Sequence, residues 1–256
     1  MGTVLHDSVL GEGPDVVLLH GLFGQGGNLG SIARGLQEAY RVHSPDLPDH
    51  GHSRWSDSPS IPGYVEAVAD WMLERHISRA HFVGHSLGGK IAMGLALAHP
   101  ALVDRLVVID IAPVAYMPSH NEVLEGLAAV TAAQCRSRTE ADAVLKAYLP
   151  EAGVRQFLLM SLMRTGQNNR MDWRLNREGL TRCYARLLEG LEENTPFDGE
   201  TLLVRGEDSD YVKDDDMAVV ARMFPHSNLV TLAGAGHWVH ADQPDQLSEA
   251  LLSFLN

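Results

Sequence analysis

Gly84-His85-Ser86-Leu87-Gly88 sets a serine between two glycines in the pattern G-x-S-x-G, after the apolar run AHFVGH and before a helical stretch. That pattern is the nucleophile elbow, in which the serine tops a sharp strand-to-helix turn. The backbone there is strained, and a glycine two residues to either side removes a Cβ atom that would clash. The helix behind supplies free N–H groups and the positive end of a dipole, both suited to an oxyanion. The chemistry implied is attack by Ser86 on a carbonyl. Two rival readings of glycine-rich segments stumble on single residues. Residues 84–90 also fit GxxxxGK, but a phosphate-binding loop needs Ser or Thr next, and Ile91 stands there. Lys90 then becomes an ordinary helix residue. Gly24 and Gly26 begin a dinucleotide fingerprint whose third small residue is replaced by Leu29.

A serine hydroxyl is a poor nucleophile at neutral pH and needs a base, which an acid must orient. Of the 13 histidines, His237 in LAGAGHWVH is favoured, because it follows the last expected strand and the small GAG lets the loop fold towards the sheet's carboxyl edge. His240 is its competitor. His85 adjoins Ser86, but neighbours on such a turn point apart, so it is expected to pack. Oxyanion donors are expected from the N–H groups of Leu22, in LLHGLFGQGGN, and of Leu87, the residue after the nucleophile. For the acid, Asp110 in VVIDIAP ends an apolar run, and a carboxylate there is costly to bury unless paired. Glu207, Asp208 and Asp210 crowd around Ser209 in RGEDSDYV and compete for the role. In DLPDHGHS, Asp46, Asp49, His50 and His52 could hold a metal. Pro48, Gly51 and Ser53 make a turn the better account, and no metal is expected.

These residues need a scaffold that brings them to one edge. Short Val/Leu/Ile-rich runs at 15–20, 40–46, 80–85, 105–112, 201–206 and 228–234 read as buried parallel strands. Helical patterns fall between them at about 28–39, 61–77, 87–98, 213–223 and 244–255. TVLHDSVLG adds an edge strand or hairpin. The alternation implies an α/β sheet with right-handed crossovers and helices on both faces. From 114 to 198 only helical stretches are found, at 120–133, 139–148, 151–164 and 177–192. That segment is expected to be a helical cap (lid), leaving 1–113 and 199–256 as the core.

The 256 residues suit one large domain or one domain with an insertion. Acids outnumber bases 33 to 20, a formal charge of −13, which disfavours nucleic acid or an anionic membrane as partner. Cys135 and Cys183 lie far apart, which points to a reduced, cytoplasmic setting. No signal peptide and no membrane span are expected, and His6 breaks a myristoylation pattern.

HGLFG, DLPDHGHS, GHSLGG, VIDIAP and GAGHWVHADQP occur in this order over nearly the whole chain. Together they resemble the α/β-hydrolase superfamily, and within it the small bacterial esterases related to the abhydrolase-domain proteins. The resemblance implies an α/β-hydrolase fold with a mostly parallel sheet of eight strands, a helical cap after the sixth, no cofactor, and ester hydrolysis through an acyl-enzyme. Its motifs carry over to Ser86 as nucleophile, His237 as base, and Leu22 and Leu87 as oxyanion donors. In most of the superfamily the acid follows strand seven in G-x-x-D-x-x-V. Counted from Gly206, that slot holds Ser209, with Val212 in register. The esterase branch uses an aspartate at the place of Asp110, and the serine after strand seven joins its network. Asp110 is thus the expected acid and Ser209 a fourth member, with Asp208 or Asp210 as alternatives. Phe23, His85 and Trp238 are expected to bind substrate. The expected function is a serine carboxylesterase acting on small acyl esters or thioesters, with a homodimer left open. A C–C bond hydrolase or lyase using the same triad, and a ligand-binding receptor with little turnover, are the alternatives.

Overall fold

A computed structural model describes residues 5–166, 169–192 and 195–256. The strands in chain order are β1 (Asp7–Leu10), β2 (Asp15–Leu19), β3 (Arg41–Pro45), β4 (Ala80–His85), β5 (Val103–Ile109), β6 (Leu162–Arg164), β7 (Met171–Trp173), β8 (Thr201–Gly206) and β9 (Ser227–Leu232). Seven of them form one sheet in the order β1-β3-β2-β4-β5-β8-β9. Every pairing in it is parallel except that of β1, which runs antiparallel to β3.

Alternation along each strand sends side chains to opposite faces. Val16 and Leu18 meet α1 (Gly30–Leu36) and the C-terminal helix on one side. Val17 and Leu19 meet α2 (Ile61–Glu74) and α3 (Leu87–Ala98) on the other. All four are fully buried, which is why β2 reads as an unbroken apolar run rather than an alternating one. Ser60 caps α2 by accepting from the Gly63 N–H, with Pro62 in the first turn. The helix stops at Glu74, short of the expected residue 77, where His76 turns into the left-handed region.

The sheet differs from expectation in having seven strands among the described residues instead of eight. Thr3 and Val4 of the expected N-terminal strand lie outside those residues. Just before β1, His6 spends its backbone on the 46–53 loop, donating to Ser53 Oγ and accepting from the Asp46 N–H. Among the described residues the long insertion therefore follows the fifth strand in chain order, where the sixth is expected.

That insertion holds α4 (Asn121–Ala133), α5 (Arg138–Leu145), α6 (Ala152–Met160) and α7 (Arg177–Leu188). It is not wholly helical. The helix expected over 151–164 ends at Met160, and β6 pairs antiparallel with β7, Leu162 opposite Trp173. Contacts from distant parts of the segment hold this hairpin: Trp173 Nε1 donates to the Leu127 carbonyl and Arg138 Nη2 to the Leu162 carbonyl. After β8 come α8 (Met217–Met223), α9 (Val239–Asp242) and α10 (Pro244–Leu255). No helix among the described residues is long and apolar enough to cross a membrane.

Candidate active site

Ser86 lies between β4 and α3 with φ 53° and ψ −121°, a backbone state that L-residues avoid unless their surroundings impose it. The surroundings do. The Ser86 N–H donates to the Ile109 carbonyl of β5. A Cβ on Gly84 would overlap the backbone of Gly88, and one on Gly88 would overlap the Leu19 carbonyl. The turn can close only with glycine at both places.

The loop after β9 brings His237 over the serine. Ser86 Oγ lies 3.1 Å from His237 Nε2, and His237 Nδ1 lies 2.7 Å from Asp110 Oδ2. The hydrogen-bond pattern places the proton on Nδ1, donated to Asp110, and leaves Nε2 to accept from the serine. Asp110 follows β5 with φ 52° and is fully buried. Its carboxylate accepts from the Gly206 N–H at 3.0 Å and from Ser209 Oγ as well as from His237. A buried charge is tolerable when its lone pairs are used in this way. The Asp208 and Asp210 side chains point to solvent.

Other imidazoles surround this group, and each stays neutral at neutral pH. Burial, reinforced by His237 and His240, holds His85 well below its usual value. His85 Nε2 donates to the His237 carbonyl at 2.9 Å and so ties the histidine loop to the elbow. Burial and then His237 push His240 down to about 4. The His240 ring lies 4.8 Å from that of His85. The base competing with His237 in the sequence is thus packed beside the site, while His237 holds the serine.

Leu22 and Leu87 flank the serine from two elements. Leu87 is the first residue of α3, so its N–H has no acceptor within the helix. Leu22 sits in the 20–24 loop, which approaches closely enough that a Cβ on Gly21 would lie 3.3 Å from that of Ser86. Two buried histidines shape this loop. His50 Nε2 accepts from the Phe23 N–H while its Nδ1 donates to the Pro48 carbonyl. His20 Nδ1 donates to the Gly21 carbonyl and its Nε2 accepts from the Leu47 N–H. Both roles need neutral rings, and burial lowers both, His20 to about 3.

DLPDHGHS is therefore a buried brace. Asp46 accepts from the Gly26 and His52 N–H groups. Asp49 accepts from Ser56, Tyr64 and Asn176. Among the described residues, no group of three or more His, Cys, Asp or Glu is placed to hold a metal ion.

The serine opens into a cavity of about 700 Å³. Phe23, His85 and Trp238 all line it, although Phe23 and His85 are largely buried. Val123, Val154 and Phe157 of the insertion supply apolar wall, and Phe157 packs at 5.7 Å against Trp238.

Two residues escaped the sequence reading. Tyr211 stacks on the His237 ring, with centroids 3.8 Å apart and planes at 18°. Lys90, expected to be an ordinary helix residue, is only 2% exposed and donates to the carbonyls of Leu188 and Glu189 at the end of α7. Its ammonium meets the negative end of that helix, and burial lowers its pKa to about 8. Nothing local signals either contact, since the partners lie far along the chain.

A family model described as alpha/beta hydrolase fold matches residues 14–244. The chain is 36% identical over 251 residues to the sn-1-specific diacylglycerol lipase ABHD11 of Mus musculus, covering 94% of this chain and 81% of that one. It is 35% identical over 242 residues to the esterase YbfF of Escherichia coli, covering 94% and 92%. Among solved structures, a marine microorganism esterase matches with a TM-score of 0.95 and 31% identity, over 99% of this chain and 100% of that one.

Proposed function

The chain belongs to the alpha/beta hydrolase fold family, and from that premise we propose that it is a serine carboxylesterase that hydrolyses small acyl esters, thioesters included, through an acyl-enzyme. The observation that carries this reading is the continuous relay from Ser86 Oγ through His237 to the buried Asp110, opening into a partly apolar cavity. The names of its relatives, an esterase and a lipase, agree with it.

His237 Nε2 takes the Ser86 proton as Oγ attacks the ester carbonyl. The oxyanion faces the N–H groups of Leu22 and Leu87, each such donor being worth about 2.7–4 kcal/mol to a transition state. The imidazolium then protonates the leaving alkoxide or thiolate, and the acyl group stays on Ser86. Water, deprotonated by the same imidazole, attacks the acyl-enzyme and releases the acid. Asp110 holds the Nδ1 tautomer throughout and offsets the positive charge. Residues 114–198 act as the cap. Val123, Val154 and Phe157 from that segment face the acyl chain, so chain-length preference resides there.

Labelling by a fluorescent organophosphonate, with Ser86→Ala as control, tests the nucleophile. Labelling of the alanine variant would overturn the assignment. Turnover of p-nitrophenyl esters from acetate to decanoate tests the activity. A receptor would bind without turnover, and a C–C bond hydrolase would prefer diketones to every ester in the series.

A further inference from the structure

We propose that Tyr211 is a positioning residue for the His237 imidazole, holding one face of the ring and stabilising the charge it acquires during each acyl transfer; this rests on the esterase reading of Ser86, His237 and Asp110. The two rings are close to parallel and 3.8 Å apart. Asp110 and Ser86 grip the imidazole only at its two nitrogens, in the plane of the ring. Those two hydrogen bonds lie in the ring plane and support neither face. The His85 ring, 4.8 Å away, meets the imidazole at a 40° tilt, so Tyr211 supplies the flat surface that opposes tilting of the ring about its Cβ–Cγ bond.

The electrostatics point the same way. An aromatic face carries the negative part of the ring quadrupole, and it attracts a cation placed over it. Neutral His237 gains little from this, whereas the imidazolium formed when Ser86 attacks gains more. The stacking is thus stronger in the transition state than in the resting enzyme, which is the condition for raising kcat.

Tyr211 is itself fixed on both sides. Its N–H donates to Ser209 Oγ at 3.3 Å, and Ser209 in turn donates to Asp110. Its carbonyl accepts from Tyr116 Oη at 2.7 Å, and that same oxygen accepts from the Ala112 N–H at 2.8 Å. The Tyr116 ring lies 5.5 Å from that of Tyr211, with Lys90 Nζ 4.8 Å above the Tyr116 ring. The ring on which His237 rests is therefore anchored to the segment that carries the acid.

Steady-state kinetics on p-nitrophenyl butyrate and the proton NMR spectrum of the His237 ring, assigned with His237→Asn, test the inference together. Tyr211→Leu is expected to lower kcat by about 3- to 30-fold with KM little changed, while Tyr211→Phe, which keeps the ring, retains kcat. The His237 carbon-bound protons should resonate upfield in the parent and in Tyr211→Phe, and move downfield in Tyr211→Leu. Tyr116→Phe removes the hydroxyl that pins the Tyr211 carbonyl and should also lower kcat alone. Unchanged kcat in Tyr211→Leu, or equal losses in the Leu and Phe variants, would overturn the electrostatic and positioning role. His237 signals that ignore Tyr211→Leu would overturn the stacking itself, whatever the turnover. A parent protein without ester turnover would count against the esterase reading instead, with the NMR result still deciding the contact.

Discussion

Ser209 donates a hydrogen bond to Oδ2 of Asp110, the same carboxylate oxygen that faces His237 Nδ1, although 99 positions separate the two in the chain. The pair explains why a serine stands amid Glu207, Asp208 and Asp210. An aspartate at 209 would set a second carboxylate against a buried one, and like charges that close resist joint ionisation. The acid from β5 and the serine after β8 fit one site only as a matched pair.

Substitution separates their contributions. Asp110→Asn should lower kcat by up to about 10⁴-fold, since the amide favours the wrong imidazole tautomer. Ser209→Ala should cost about 10- to 150-fold, the worth of one hydrogen bond to a charged group. Asp208→Asn and Asp210→Asn, both at exposed side chains, should stay within about twofold of the parent. Steady-state rates on a single ester decide the order. A dead Asp208 or Asp210 variant beside an active Asp110→Asn would reverse the assignment.

Two glycines give a sharper contrast. A Cβ at Gly84 would overlap the Gly88 backbone, while one at Gly27 meets nothing within 4 Å. Gly84→Ala should destabilise the protein by about 2 kcal/mol or more and remove activity, because the elbow must open to admit the methyl group. Gly27→Ala should leave both unchanged. Denaturant midpoints of the two variants, measured side by side, check this.

Acid should unfold the protein through its histidines. Burial holds His20 at about 3 and His120 and His240 at about 4, against an ordinary 6.5. His50 and His85 shift the same way. Between these values the unfolded chain binds protons that the folded one refuses. The stability tied to neutral rings is thus fully present above pH 6.5 and is lost as pH falls through about 4. Each extra proton contributes a slope of about 1.4 kcal/mol per pH unit. Melting temperatures should drop steadily from pH 7 to pH 5, and His240→Gln should make the decline shallower. A flat profile across that range would contradict the burial argument.

What could be read from the sequence was whatever local chemistry encodes. The elbow shows itself through Gly84 and Gly88, which answer to clashes within a few residues. The sheet strands show themselves because burial on both faces demands continuous apolar runs, as Val16–Leu19 illustrate. The β6–β7 hairpin was missed because Leu162–Arg164 becomes a strand only by pairing with Met171–Trp173 and resting on α4. Tyr211 and Lys90 were missed for a similar reason. A tyrosine in a polar turn and a lysine in a helix look ordinary until the fold brings an imidazole to one and a helix end to the other.

Asn176 joins the insertion to the core and allows a test of which end of its amide matters. Its Oδ1 accepts from the Gly179 N–H at the start of α7, and its Nδ2 donates to buried Asp49 Oδ1 at 2.7 Å and to the Ser56 carbonyl at 3.2 Å. Alanine removes all three, an expected loss of about 2–4 kcal/mol. Aspartate caps helices as well as asparagine does, so if capping were all, Asn176→Asp would be neutral. It would instead place a carboxylate against Asp49, with the donor gone and a like charge added. Asn176→Asp should therefore be at least as unstable as Asn176→Ala at pH 7. Urea midpoints of the two variants decide the matter: near-parental stability of Asn176→Asp would show that Asp49 gains nothing from Asn176 and that the insertion is held by other contacts.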